Sequence, residues 1–203
     1  MVMVPVFSVQ TYNQLLTIAE ASSRFKKQLA SACLTESEFF SKLAPVFSSE
    51  RGPYSPCLIH HHFGLAEDER MVSYGNFSEP SKDTFPNIVP ECWLSTGEEM
   101  EHRYVDDPSS IPPPPSADFF SRFKAILDKY EIDVIGVCYS PPLLKPEYIY
   151  LETLKRDNRS HIINQVLASS IDLATTTPSI WTLMGPIPMC GGRCITVCVD
   201  CPP

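Results

Sequence analysis

Two eleven-residue segments of this chain carry the same helical stripe, and that repetition restricts the folds open to it more than any other feature. "SEFFSKLAPVF" begins at Ser37 and "ADFFSRFKAIL" at Ala117, an offset of 117 − 37 = 80. Apolar residues coincide at Phe39/Phe119, Phe40/Phe120, Leu43/Phe123, Val46/Ile126 and Phe47/Leu127. These fall at i, i+1, i+4, i+7 and i+8, the one-sided pattern of an amphipathic helix. Both segments also carry a start signal: Thr35 with Glu38 makes a capping box, and Ser116 stands as N-cap ahead of Asp118. Pro45 is expected to bend or shorten the first helix, because it has no N–H and its ring crowds the preceding turn.

The parallel continues beyond the helices. "CLIHHHFGLAEDERMVSYG" and "IGVCYSPPLLKPEYIYLET" each read as an apolar strand, a turn and an alternating strand, a hairpin in both copies. At the offset 138 − 60 = 78, His60 stands opposite Cys138 and His62 opposite Ser140. "PECWLS" aligns with "PSIWTL", pairing Trp93 with Trp181, and one more short strand follows each, "EMEHRYV" and "CITVCV". The fold class expected is α+β: an internal duplication of a helix-plus-antiparallel-sheet unit, about four strands per unit, packed about a pseudo-twofold axis. The repeats run 37–107 and 117–203, joined by the Pro-rich linker 108–116, whose four consecutive prolines favour polyproline II. An N-terminal helical segment, 1–36, precedes them. Leu15, Ile18, Ser22, Phe25 and Leu29 mark one face of a helix over roughly Thr11 to Ala32, placed to cover an exposed sheet face or edge.

A chain of 203 residues with 43% hydrophobic content buries a real core, and its formal charge of −8 argues against nucleic acid or an anionic membrane as partner. The apolar start Met1–Val9 is too short to span a bilayer and has no basic n-region, so no secretion is expected and the cytoplasm is the expected location. Cys33, Cys57, Cys92 and Cys138 are scattered and read as reduced thiols, mostly buried. Cys190, Cys194, Cys198 and Cys201 crowd the C-terminus at spacings too tight for a zinc knuckle; buried thiols, a disulfide or redox pair, and a metal site all remain open for them.

The segments "CLIHHHF", "VSYGNFSEP", "VPECWL" and "IYLETLKRDNR" together resemble a group of hypothetical proteins of filamentous fungi. In that group an apolar strand ending in a His-x-His-Phe-like motif is followed by an acidic turn, a Gly-Asn and a Trp-containing strand. The resemblance covers much of the chain. It implies a fungal cytosolic protein of specialised metabolism and brings no activity with it.

The chemistry-bearing candidates centre on "CLIHHHF". If the run is a strand, alternation sends His60 and His62 to one face and His61 to the other. His60 and His62 are then the catalytic candidates, facing a cleft between the units, and His61 is structural. Two histidines two apart on a strand also suit zinc or another divalent metal, with a third ligand from Cys138, Glu67, Glu69, His102 or the C-terminal cysteines. Tyr139, Cys138, Trp93 and Trp181 are the substrate-binding candidates, and Tyr148 and Tyr150 read as core or pocket wall. No phosphate loop, G-x-S-x-G elbow or H-E-x-x-H motif is present, so no nucleotide cofactor is expected. The reading is a cyclase, isomerase or lyase acting on an apolar small molecule, as monomer or homodimer; the alternative is a non-catalytic ligand- or metal-binding scaffold. Seen from the sequence, His60→Ala and His62→Ala should remove activity at little cost in stability, while His61→Ala should leave it nearly intact.

Overall fold

Side-chain caps set the helices. Thr17/Glu20 and Thr35/Glu38 each form a complete capping box, opening α2 (Ile18–Ser31) and α3 (Glu36–Ser48), and Ser116 caps α4 (Ala117–Lys129). The first box breaks the single N-terminal helix that the apolar spacing predicts. A short α1 (Val9–Asn13) ends before it, Leu15 falls between the helices, and Ala21 rather than Ser22 joins Ile18, Phe25 and Leu29 on the buried face of α2. Pro45 does not shorten α3, which runs through it to Ser48 and matches α4 at 13 residues. The computed structural model describes residues 7–50, 52–82, 87–142, 144–172, 175–183 and 193–199.

After α3 come β1 (Tyr54–Leu58), β2 (Glu69–Tyr74), β3 (Phe77–Lys82), β4 (Ile88–Trp93) and β5 (Glu99–Tyr104). After α4 come β6 (Ile135–Tyr139), β7 (Tyr148–Lys155), β8 (Ser160–Leu167), β9 (Thr177–Thr182) and β10 (Arg193–Val199). The fold is α+β, but the strands do not form two separate sheets packed face to face. They close into one barrel in the order β1-β6-β4-β5-β2-β3-β8-β7-β10-β9, sealed by a bridge from Cys57 to Ile180. Pairing is antiparallel except between β2 and β5 and between β7 and β10. Neither expected hairpin forms: β1 pairs with β6 and β9 and β2 with β3 and β5, while β6 pairs with β1 and β4 and β7 with β8 and β10. Closure satisfies the strand edges that two open sheets would expose.

The helices cover one side of this barrel. Helix α2 lies against β1 and β9, and α3 packs on α4. Phe39, Phe40, Leu43, Phe47, Phe119 and Phe123 join Tyr54, Leu58, Ile135, Val137, Trp93 and Trp181 in one core. Phe47 meets Phe119 and Phe123 edge-on at centroid distances of 5.1 and 5.7 Å. The prolines of the linker are tied down through their carbonyls: Pro112 O accepts from the Tyr139 hydroxyl at 2.6 Å, and Pro113 O accepts from Tyr54.

Gly136 lies where β6 runs close against β4. A Cβ there would stand 2.5 Å from the Trp93 carbonyl oxygen and 2.9 Å from Ile59 Cγ1. The first contact is backbone on the neighbouring strand and cannot rotate away. Gly136→Ala is therefore expected to destabilise the protein by about 2–3 kcal/mol, the upper part of the range for overpacking. The shift of the urea midpoint measures it, and an unchanged midpoint would mean that β4 and β6 can separate freely.

Candidate functional site

The triplet His60–His62 lies just beyond β1, in irregular backbone rather than on the strand. Ile59 N still donates to Val134 O at 2.8 Å, but His61 N donates to Leu16 O at 3.0 Å, so the chain passes from the barrel wall to the N-terminal segment. That segment clamps it. The Tyr12 hydroxyl accepts from His62 N at 3.1 Å, and the Asn13 amide bonds both the N–H and the carbonyl of Leu65 at 2.8 Å. His61 Nδ1 sits 2.6 Å from Leu15 O, which turns this ring away from the barrel. His60 and His62 turn inward and are 6% and 8% exposed.

They line a cavity of about 310 Å³ inside the barrel. Met71, Val72, Met100, Ile163 and Ile180 supply apolar wall, and the histidines meet acids from distant strands. His62 Nδ1 is 2.7 Å from Glu101 Oε1 on β5, and His62 Nε2 is 2.7 Å from Glu152 Oε1 on β7. His60 Nε2 lies 3.2 Å from His62 Nε2, while His60 Nδ1 is 2.8 Å from Leu58 O and donates to it. The ring of His161, on β8, has its centroid 4.2 Å from that of His62; its Nδ1 is 3.1 Å from Glu152 Oε1 but outside hydrogen-bonding geometry. The Tyr12 hydroxyl completes the network, donating to Glu101 Oε1 at 3.4 Å.

Burial opposes charge on every member, and the pairing decides which of them carry it. Burial would push His62 down, but the carboxylates of Glu152 and Glu101 outweigh it and hold the ring up at about 10. His60 and His161 are pushed down to about 4 by burial and then by the neighbouring His62 charge. Burial favours protonating Glu101 and Glu152, yet the imidazoles keep both below the ordinary carboxylate range. The cluster is one imidazolium between two carboxylates, with a neutral imidazole on either side. Such a group can hold a proton at a defined place and pass it to a substrate.

Two sets of side chains converge closely enough to hold a metal ion. The ligand atoms of His60, His62 and Glu152 lie within 4.8 Å of one another, and so do the thiols of Cys57, Cys92 and Cys138, which share the cavity wall. The three cysteines come from the adjacent strands β1, β4 and β6, and hydrogen bonds from Cys138 and Cys92 draw the Cys57 thiol below its usual range.

Of the candidates named from sequence, His60, His62, Cys138 and Tyr139 line the cavity. Trp93 and Trp181 do not. Trp93 follows Cys92, and strand alternation sends it to the opposite side, against Tyr54 and Tyr139 in the core. Trp181 packs on Phe40 with its Nε1 donating to Glu36 Oε1 at 2.8 Å. Tyr150 lines the cavity, whereas Tyr148 is not among its lining residues. Among the proposed third metal ligands, Glu67 is exposed in the loop before β2, Glu69 is held by Arg159 at 2.8 Å, and His102 Nε2 is engaged by Glu99 and Arg70. The side chains of the C-terminal cysteines lie outside the described residues.

Glu101, Glu152 and His161 escaped the reading of the sequence. The one local signal was an acid set inside an apolar strand, Glu152 in "YIYLETL", which is only 5% exposed. No protein-family model matches the chain, nor does any curated protein or solved structure. Among the described residues, no helix is long and apolar enough to cross a membrane.

Proposed function

We propose that the protein is a small-molecule enzyme of cyclase, isomerase or lyase type that works in the barrel cavity without a nucleotide cofactor. The observation that carries this reading is a cavity of about 310 Å³ touching both His60 and His62 beside two buried carboxylates. Ligand pockets span roughly 300–1,000 Å³, so the substrate is small, and the aliphatic wall suits an apolar one. Removing a proton at one carbon and returning it at another requires a shaped pocket and placed proton carriers, and this cluster offers both. A non-catalytic scaffold would be favoured by a flat apolar surface or a closed four-ligand metal site, and an open cavity beside the histidines speaks against both. The reduced thiols of Cys57, Cys92 and Cys138 fit a cytoplasmic setting, and the resemblance to fungal proteins is the basis for assigning the activity to specialised metabolism.

The same reading takes the chain as a duplication, with repeats 37–107 and 117–203 and the cavity shared between them. Supporting it, α3 and α4 begin 117 − 36 = 81 residues apart, and β1 and β6 begin 135 − 54 = 81 apart; this strand offset replaces the 78 read from the sequence, so that Cys57 and not His60 corresponds to Cys138. Exchanging β1–β5 for β6–β10 also maps the order of strands around the barrel onto itself, including the two parallel pairs.

The test is a panel of small hydroxylated and unsaturated carbonyl compounds incubated with the protein in D₂O and followed by mass spectrometry. Wild-type protein should give solvent deuterium in recovered substrate, or an isomer, elimination or ring-closure product. His60→Ala should lower the rate by about 100-fold or more, in the range for lost acid–base catalysis, and His61→Ala should change it little. Equal rates in wild type and His60→Ala would end the proposal, as would a panel in which no compound binds or reacts.

A further inference from the structure

We propose that His60, His62 and Glu152 are the protein ligands of a divalent transition-metal ion seated in the barrel wall with open coordination positions toward the cavity. This deepens the enzymatic reading by naming its cofactor and rests on it only for the use to which the ion is put.

Tautomers carry the first part of the inference. His60 Nδ1 faces the Leu58 carbonyl at 2.8 Å, an oxygen that can only accept, so that nitrogen bears a hydrogen and Nε2 presents its lone pair. His62 Nδ1 donates to Glu101 Oε1 at 2.7 Å and its Nε2 faces the same point, where an ion would take the place of the proton that otherwise bridges this nitrogen to Glu152. The two Nε2 atoms are 3.2 Å apart, with Glu152 Oε1 2.7 Å from the second, so an ion that displaces the His62 Nε2 proton would be shared by all three atoms. Ligand imidazoles in metal sites characteristically donate their other N–H to a carbonyl or a carboxylate, and both arrangements are present here, one on each ring.

Charge carries the second part. Glu101 and Glu152 bring two carboxylates into the interior, with side chains 14% and 6% exposed, and a divalent ion held by neutral imidazoles balances both. Two imidazoles and one carboxylate on one side, with the cavity on the other, is the donor set of open zinc sites and of non-haem iron sites rather than of closed structural ones. An ion so placed would take an oxygen of the substrate as a further ligand and polarise it.

The full chain, stripped with a chelator, is titrated with Zn²⁺ alone by calorimetry, and with Co²⁺ alone by absorption spectroscopy. One ion per chain should bind through nitrogen and oxygen, without a thiolate-to-metal charge-transfer band. Glu152→Gln, nearly isosteric, should weaken it by more than the roughly 10–100-fold expected for Glu101→Gln, which touches only an outer partner. His61→Ala and Cys57→Ser should bind as wild type, with circular dichroism confirming that each variant is folded. No bound ion, or an ion with a thiolate band that Cys57→Ser removes, would overturn the inference. Turnover persisting in chelator would sink the metal and spare the enzyme; a bound ion with no small molecule entering the cavity would do the reverse.

Discussion

His62→Ala is expected to destabilise the metal-free protein by about 3–5 kcal/mol near neutral pH, the cost of breaking a buried ion pair by removing one partner. The ring is 4% exposed and lies 2.7 Å from each of two carboxylates, so its loss leaves Glu101 and Glu152 facing an apolar wall without a counter-charge. From the sequence alone the opposite follows, because two histidines at a cleft edge look dispensable while neither acid is in view. His60→Ala removes a neutral ring bonded to one backbone carbonyl and should cost about 1–3 kcal/mol, the penalty for one unsatisfied buried group. Urea denaturation with chelator present separates the two. The decisive control is the triple variant His62→Ala, Glu101→Gln, Glu152→Gln, which should recover most of the loss. If His62→Ala alone cost less than about 1 kcal/mol, as for an exposed pair, cavity water would be solvating the carboxylates and the cluster would not be a buried one.

Trp181→Ala is expected to cost about 3–5 kcal/mol, the range for deleting a large aromatic side chain from a core, while leaving ligand binding in the cavity unchanged. The indole is 1% exposed, its centroid is 4.8 Å from that of Phe40 and 5.9 Å from that of Phe25, and it joins β9 to both α2 and α3. Its Nε1 bond reaches Glu36 in the first turn of α3, where a carboxylate also suits the helix dipole. Trp181→Phe keeps most of the packing and should cost about 1 kcal/mol, close to a tolerated aromatic swap plus one part-buried hydrogen bond. Denaturation midpoints read the stability, and the thermal shift with a cavity ligand reads the binding. A Trp181→Ala protein of unchanged stability that no longer binds would return this residue to the pocket wall.

The sequence determined α3, α4 and most of the strands, because these are written in patterns a few residues long, whereas the single N-terminal helix it implied is split into α1 and α2. Thr35 and Ser116 announce their helices by the groups that cap them, and the Phe-Phe stripes state which face is buried. The inward turn of His60 and His62 against the outward turn of His61 was also legible as a period of two, although the cause differs. The backbone there is no longer a strand, and the outward ring is held by Leu15 O, His60 by Leu58 O and His62 by Tyr12 and the acids. Closure of the barrel was decided only by the tertiary structure. Local alternation says that a strand has two faces but not which strand lies beside it, so the assumed β1–β2 hairpin gave way to pairing of β1 with β6 and β9. The same holds for the site. Glu101 is 39 residues from His62, and Glu152 is 152 − 62 = 90 residues away, so no spacing rule links them. They meet because a ring of ten strands brings residues from β5, β7 and β8 to one interior, and the sequence can name an acid in an apolar strand without saying which imidazole it will face.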